Sequence, residues 1–235
     1  MKAIIQKLAN NCGYEIRRLE RNAPASSEYS EFSQVRKNIA DLEKLSQLSL
    51  TIPGMITPEA GKFLYTLCYM QDIPGDVVEI GSWQGRSSSF LARAVKESGN
   101  GRFYAIDHFG GNVGKEQFYA VDGDLANLKQ NFNRNMERLG LSESVNLLDM
   151  PNTEAVNHLK DSSIRFLFID GDHTEEGVTR DIELFFPHLC KGAIVVFDDY
   201  FEGFSGLLQA VDRAIEKHKP VKVFSFKHTL VMRMA

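Results

Sequence analysis

Residues 77–89 read VVEIGSWQGRSSS, and this stretch decides the fold. A β-branched run ends at Gly81, Gly85 follows four residues later, and a helical pattern opens near Ser87. Glycines let such a strand-to-helix turn tighten and let a ligand approach the backbone. The unpaired N–H groups of the helix start then face that ligand. The spacing is E-x-G-x-x-x-G, which differs from the G-x-G-x-x-G of nicotinamide enzymes. A purely structural reading of the same residues makes Ser87 or Ser88 the N-cap of the helix.

Outward from this turn, short β-branched runs alternate with helical patterns. The strands expected are 76–80, 102–106, 144–148, 164–169 and 192–197, with helices over about 87–98, 124–139, 152–160 and 175–188. Alternation of this kind implies a parallel sheet covered on both faces, with ligands beyond the carboxyl ends of its strands. After a helix at about 204–218, VKVFSF (221–226) and TLVMRM (229–234) are joined only by Lys227 and His228, so they must pair antiparallel. The expected fold class is α/β: a doubly wound, Rossmann-like, seven-stranded and mostly parallel sheet with an antiparallel C-terminal strand, plus N-terminal helices.

Upstream, Thr57 and Pro58 open a helix carrying Phe63, Leu64, Leu67 and Met70, and an earlier helix runs from about Ser33 to Leu48. Residues 22–32, NAPASSEYSEF, read as a linker. Residues 1–21 have the spacing of an amphipathic helix and a local charge of +3, against -4 for the whole chain. Such a helix packs on its own domain, on a second subunit of a homo-oligomer, or on a membrane surface. The boundaries expected are 1–56 for an N-terminal helical extension and 57–235 for the α/β domain.

The composition excludes several classes. In 235 residues, Lys+Arg 27 against Asp+Glu 31 offers no basic field for nucleic acid. No apolar run approaches the roughly 20 residues of a membrane span. Cys12, Cys68 and Cys190 lie far apart without C-x-x-C spacing, which argues against a disulfide framework or a structural zinc site and fits a cytoplasmic location.

Two sets of acids carry chemistry. The second strand ends in Asp107, 22 residues after Gly85, where doubly wound folds place a carboxylate on ribose hydroxyls. That carboxylate would repel a 2′-phosphate, which favours an adenosyl or NAD-like group over NADP. IRFLFIDGDH delivers Asp170 to the same sheet edge as Asp198 and Asp199 of GAIVVFDDY. Three acids there require protons or a cation, and a hard divalent ion, Mg²⁺ first, is the economical solution. Some of these acids also suit helix caps: Asp172 stands three residues before Glu175, as in a capping box.

Together these residues resemble the class I S-adenosylmethionine-dependent O-methyltransferases. More narrowly they resemble the metal-assisted group that includes catechol and macrolide-sugar O-methyltransferases, over about residues 76–235. The resemblance implies that Glu79, Gly81 and Gly85 line the methionine and ribose part of the cofactor, with Ser82, Trp83 and Ser87 in the same turn. It puts Asp107 on the ribose with His108 beside it, adenine near 149–153 with Asn152 as a contact, and Asp170 at the reacting end. Asp170, Asp198 and Asp199 match the metal ligands. The catechol enzymes' lysine is missing from Gly171–Thr174, so His173 becomes the candidate base, with an orienting role as its alternative. The glycine-rich segment 108–124 suits a lid or acceptor wall. The acceptor expected is a hydroxyl of a sugar, glycan or small metabolite. An adenosyl-binding scaffold without transfer, and a metal-dependent hydrolase or hydroxylase, are the alternatives from other classes.

Overall fold

The computed structural model describes residues 27–111, 127–159 and 163–235. The amphipathic pattern at 1–21, with the lipid or subunit contact it suggests, lies outside them, as does most of the 108–124 segment. By compactness the chain divides between Leu42 and Glu43, upstream of the boundary expected at 56/57. Helix α1, Ser27–Ser49, crosses that division and begins inside the stretch read as a linker. After Pro24 the stretch holds no proline or glycine to break a helix.

In the second unit α2, Pro58–Tyr69, starts where Thr57 accepts the Ala60 N–H at 3.2 Å. The elements then alternate as β1 (Asp76–Ile80), α3 (Arg86–Ser98), β2 (Phe103–Ile106), α4 (Leu128–Arg138), β3 (Asn146–Leu148) and α5 (Asn152–Ala155). They continue as β4 (Ile164–Ile169), α6 (Glu175–Phe185), β5 (Leu189–Phe197), α7 (Ser205–His218), β6 (Lys222–Phe226) and β7 (Thr229–Arg233). The sheet order is β3-β2-β1-β4-β5-β7-β6. β1 to β5 are parallel and β7 runs antiparallel to both its neighbours. The connection direction reverses between β1 and β4, which opens a crevice at their carboxyl ends.

Local chemistry explains the differences in element length. β5 begins at Leu189 rather than 192, because a register shift opposite Ile164–Phe166 absorbs the unpromising Lys191–Gly192 pair, with Gly192 at φ +80°. The helix expected over 175–188 leaves α geometry at Phe185, since Pro187 cannot donate, and ends in a 3-10 turn. The one expected over 152–160 shortens to α5 and a 3-10 turn over Val156–Leu159.

Strand alternation sends side chains to two cores. Val78, Ile80, Leu167, Ile169 and Val195 pack with Val178, Ile182 and Phe185 of α6 and Val211 of α7. Glu79 points to the opposite face, where Ser88 of α3 donates to its Oε2. At the amino-terminal edge the fully buried Arg165 donates to Gly75 O (3.1 Å), Cys68 O (2.8 Å), Asn100 O (3.0 Å) and Gln71 Oε1 (3.3 Å). This guanidinium ties α2 and the loops flanking β1 and β2 to β4.

Candidate active site

At the carboxyl rim lies a cavity of about 660 Å³, reached by β1, β2 and β4, by the segments after β3 and β4, and by residues 53–56 before α2. Its floor is set by Gly81. At φ +85° it turns so tightly that a Cβ would stand 2.1 Å from the carbonyl oxygen of Asp170, so the β1 turn and the end of β4 can touch only without a side chain. Trp83, also at positive φ, lines the cavity, as do Ser82 and Ser87. Gly85, at φ +90°, occupies the N-cap position of α3. This corrects the assignment of Ser87 or Ser88 as cap: Ser88 bonds Glu79 instead, because the helix begins one residue before Ser87.

Glu79 is 0% exposed, with Oε1 lacking a hydrogen-bond partner, and burial pushes its pKa up to about 8 despite bonds from Ser87 and Ser88. Asp107 is organised differently: Oδ2 accepts the Trp83 N–H and Oδ1 the Phe109 N–H, both at 2.7 Å. Its pKa is raised, with burial outweighing those bonds. One carboxylate thus ties the glycine turn of β1 to the end of β2 while each oxygen keeps further acceptor capacity. His108 Nδ1 accepts the Gly110 N–H at 3.0 Å, and the ring lines the same cavity.

A second constellation adjoins these residues. His173 Nε2 stands 3.3 Å from Asp199 Oδ2 and 3.8 Å from Asp170 Oδ1, and the three potential ligand atoms lie within 4.8 Å of one another. Asp198 turns Oδ1 to Thr229 Oγ1, at 3.0 Å. Asp170 is held well above the usual carboxylate range, first by burial and then by Asp198 and Asp199. Burial also raises Asp198. The His173 ring stacks on Phe204 with centroids 4.5 Å apart, which fixes its plane.

The capping box expected at Asp172 and Glu175 is replaced by a different arrangement. Thr174 is the N-cap of α6, accepting the Gly177 N–H at 3.1 Å, while Asp172 accepts the Thr174 N–H and hydroxyl at 2.9 and 3.0 Å. Helical geometry starts two residues too late for Asp172 to cap it, so its carboxylate closes an Asx turn. On the far side of the cavity, Asn152 Nδ2 donates to Asp181 Oδ1 at 2.7 Å.

Two residues of the site were not foreseen in the sequence. Arg86 donates to Ile52 O (2.8 Å) and Ile56 O (3.0 Å) and so holds the 53–56 segment as a cavity wall; nothing in its local sequence signals this, because both partners are backbone atoms far along the chain. Asp181 lies among Val178, Ile182 and Phe185, on the buried side of α6. An acid inside an apolar stripe was the signal available for it.

Comparison with known proteins places the chain in a family. A family model described as a methyltransferase domain matches residues 78–200. The 8-demethyl-8-(2,3-dimethoxy-alpha-L-rhamnosyl)-tetracenomycin-C 4′-O-methyltransferase of Streptomyces olivaceus is 31% identical over 142 residues, 54% of each chain. The chain spans about half the length of the curated relatives it matches. Among solved structures, the O-methyltransferase NovP superposes with a TM-score of 0.66 at 20% identity, covering 78% of this chain and 82% of that one. TomG of Streptomyces achromogenes, an O-methyltransferase solved with S-adenosylmethionine, superposes at 0.60 and 18% identity, covering 83% and 90%. These likenesses establish the shared fold. With the family model matching more than half of the chain, from within β1 through β5, the chain belongs to the methyltransferase domain family.

Proposed function

We propose that the protein is an S-adenosylmethionine-dependent O-methyltransferase, assisted by a divalent metal and acting on a hydroxyl of a sugar, glycan or small metabolite. The observation that carries this reading is one cavity lined both by the Gly81–Trp83 turn tied to Asp107 and by Asp170 and His173, with Asp199 3.3 Å from the His173 ring nitrogen. The buried, unsatisfied Oε1 of Glu79 fits a cationic amino group such as the cofactor's methionine carries. Asp107 then takes the ribose hydroxyls, and the adenine extends toward Asn152.

The clustered acids fit a divalent cation in the same way, since their mutual repulsion is what raises Asp170 beyond the effect of burial. Asp170 and Asp199, whose oxygens gather beside His173, would hold it, and Asp198, with one oxygen engaged by Thr229, adds its charge. When bound, such an ion eases ionisation of an acceptor hydroxyl. His173, its plane fixed by Phe204, takes the hydroxyl proton as the acceptor oxygen bonds the methyl carbon and the carbon–sulfur bond breaks, leaving the thioether. Alignment of oxygen, carbon and sulfur is the protein's main contribution, because the sulfonium methyl is already activated. The sugar-type acceptor is supported by the tetracenomycin relative, which is named for methylation of a rhamnosyl compound. No helix among the described residues is long and apolar enough to cross a membrane, and a cytoplasmic location belongs to the same proposal.

The test is calorimetric binding of S-adenosylmethionine with and without Mg²⁺, followed by a screen of hydroxylated acceptors for release of S-adenosylhomocysteine. Metal-stimulated release with one acceptor class is expected. Absence of binding overturns the reading; binding without release from any acceptor favours a scaffold.

A further inference from the structure

Beyond the acids at the reacting end, the cavity holds one more buried charge. Asp181 is 2% exposed, lines the cavity and keeps only Oδ1 occupied, by the Nδ2 of Asn152 at 2.7 Å. Its other oxygen, Oδ2, is buried without a hydrogen-bond partner. That oxygen lies under the crevice: a Cβ on Gly171, just beyond β4, would stand 3.8 Å from it. A buried carboxylate oxygen with no donor is costly, and such a group is retained where a ligand supplies the missing N–H or O–H.

The position of Asp181 says which ligand atom that is. On the rim the ribose acid Asp107 ends β2, and Asn152 opens the segment after the adjoining strand β3. Asp181 reaches Asn152 from α6, so the pair closes the cavity on the side away from the Glu79 face. A nucleoside held at Asp107, with its amino acid part toward Glu79, directs its base to this pair. Adenine's edge carries one donor group, the exocyclic amino group, and otherwise acceptors.

We propose that Asp181, through Oδ2, accepts a hydrogen bond from the 6-amino group of the cofactor's adenine and so selects an adenosyl donor over nucleosides lacking that group. The inference rests on the cofactor reading above and goes further by naming the residue that reads the base. Asn152, already donating to Oδ1, orients the carboxylate. Burial pushes the Asp181 pKa up to about 6, so the acceptor form prevails at pH 7.5.

The experiment compares calorimetric affinities of the full chain at pH 7.5 for S-adenosylhomocysteine and for its 6-deamino analogue, in which hydrogen replaces the amino group. Wild type is expected to bind the deamino analogue about 10- to 100-fold more weakly, the range for one hydrogen bond to a charged group. Asp181→Ala should bind the two within about threefold of each other, whereas Asn152→Ala should keep most of the discrimination. Equal affinities in wild type overturn the proposal, and that measurement stands even where Asp181→Ala does not fold. Discrimination that survives Asp181→Ala but disappears in Asn152→Ala also overturns it, by assigning the base contact to Asn152. Failure of wild type to bind S-adenosylhomocysteine at all removes the cofactor reading itself, an outcome separate from loss of discrimination.

Discussion

Glu79 should make cofactor binding pH-dependent in a window where most enzymes' carboxylates are silent. Its pKa of about 8 means that the empty protein carries this side chain mainly protonated at pH 7. A cationic amino group beside the unsatisfied Oε1 requires the carboxylate, so binding must expel the proton. About half of the molecules are ionised at pH 8 and about one in a hundred at pH 6, and the apparent Kd scales with the inverse of that fraction. Affinity for S-adenosylmethionine should therefore rise about 50-fold from pH 6 to pH 8, and at pH 7 binding should release about 0.9 proton. Calorimetry in buffers of different ionisation enthalpy measures both quantities. In Glu79→Gln the pH slope over this range should vanish, with affinity at pH 8 well below that of wild type. The same shift bears on stability. Folding favours the protonated form, so the contribution is complete below the ordinary value of 4.5 and is lost as pH rises through about 8. Glu79→Gln should thus gain stability over wild type toward alkaline pH, by up to about 5 kcal/mol for the ligand-free protein. A flat Kd from pH 6 to 8 in wild type, or an equal slope in Glu79→Gln, would refute the reasoning.

Four further outcomes are expected. Gly81→Ala, whose Cβ would meet Asp170 O at 2.1 Å, should either lose more than about 3 kcal/mol in urea unfolding or fold with the turn displaced and no measurable cofactor binding. Asp107→Ala frees the Trp83 and Phe109 N–H groups and removes the ribose acceptor, so it should weaken the cofactor about 100-fold in calorimetry, whereas Asp198→Ala should mainly lower turnover. His173→Ala should lower turnover by about 100-fold or more while Mg²⁺-induced thermal stabilisation persists; loss of both would make His173 a metal ligand instead of the base. Arg165→Met strands four oxygen acceptors, that of Cys68 buried and the others half-buried, and should cost about 3–5 kcal/mol in urea unfolding, with little change in the Kd of whatever protein remains folded.

What the sequence made legible and what it left hidden divide along a physical line. Strand runs such as 76–80 and 164–169 announce themselves because each is short, rich in β-branched and aromatic residues and buried on both faces, and the Gly81 turn because a side chain there would meet Asp170 O. The rim acids were readable for the same local reason: each is the polar residue that ends an apolar strand. Their division of labour was not, since it depends on side-chain direction. Asp198 and Asp199 are adjacent, yet Thr229 of β7 engages the first while the positive φ of the second turns it toward His173. Arg86 and Arg165 stayed hidden because their partners are backbone carbonyls, which carry no residue identity. Asp181 stands between these cases. Its place among Val178, Ile182 and Phe185 marks it as a charge in a core, but only the fold shows that this core surface is also the cavity wall. Glu79 and Asp181 both leave one buried oxygen unsatisfied, Asp181 in the wall of the crevice and Glu79 behind the Gly81 turn that lines it. On the proposed reading, with Asp107 accepting from the ribose, the two costs suit a ligand that carries a cation at one end and an N–H donor at the other.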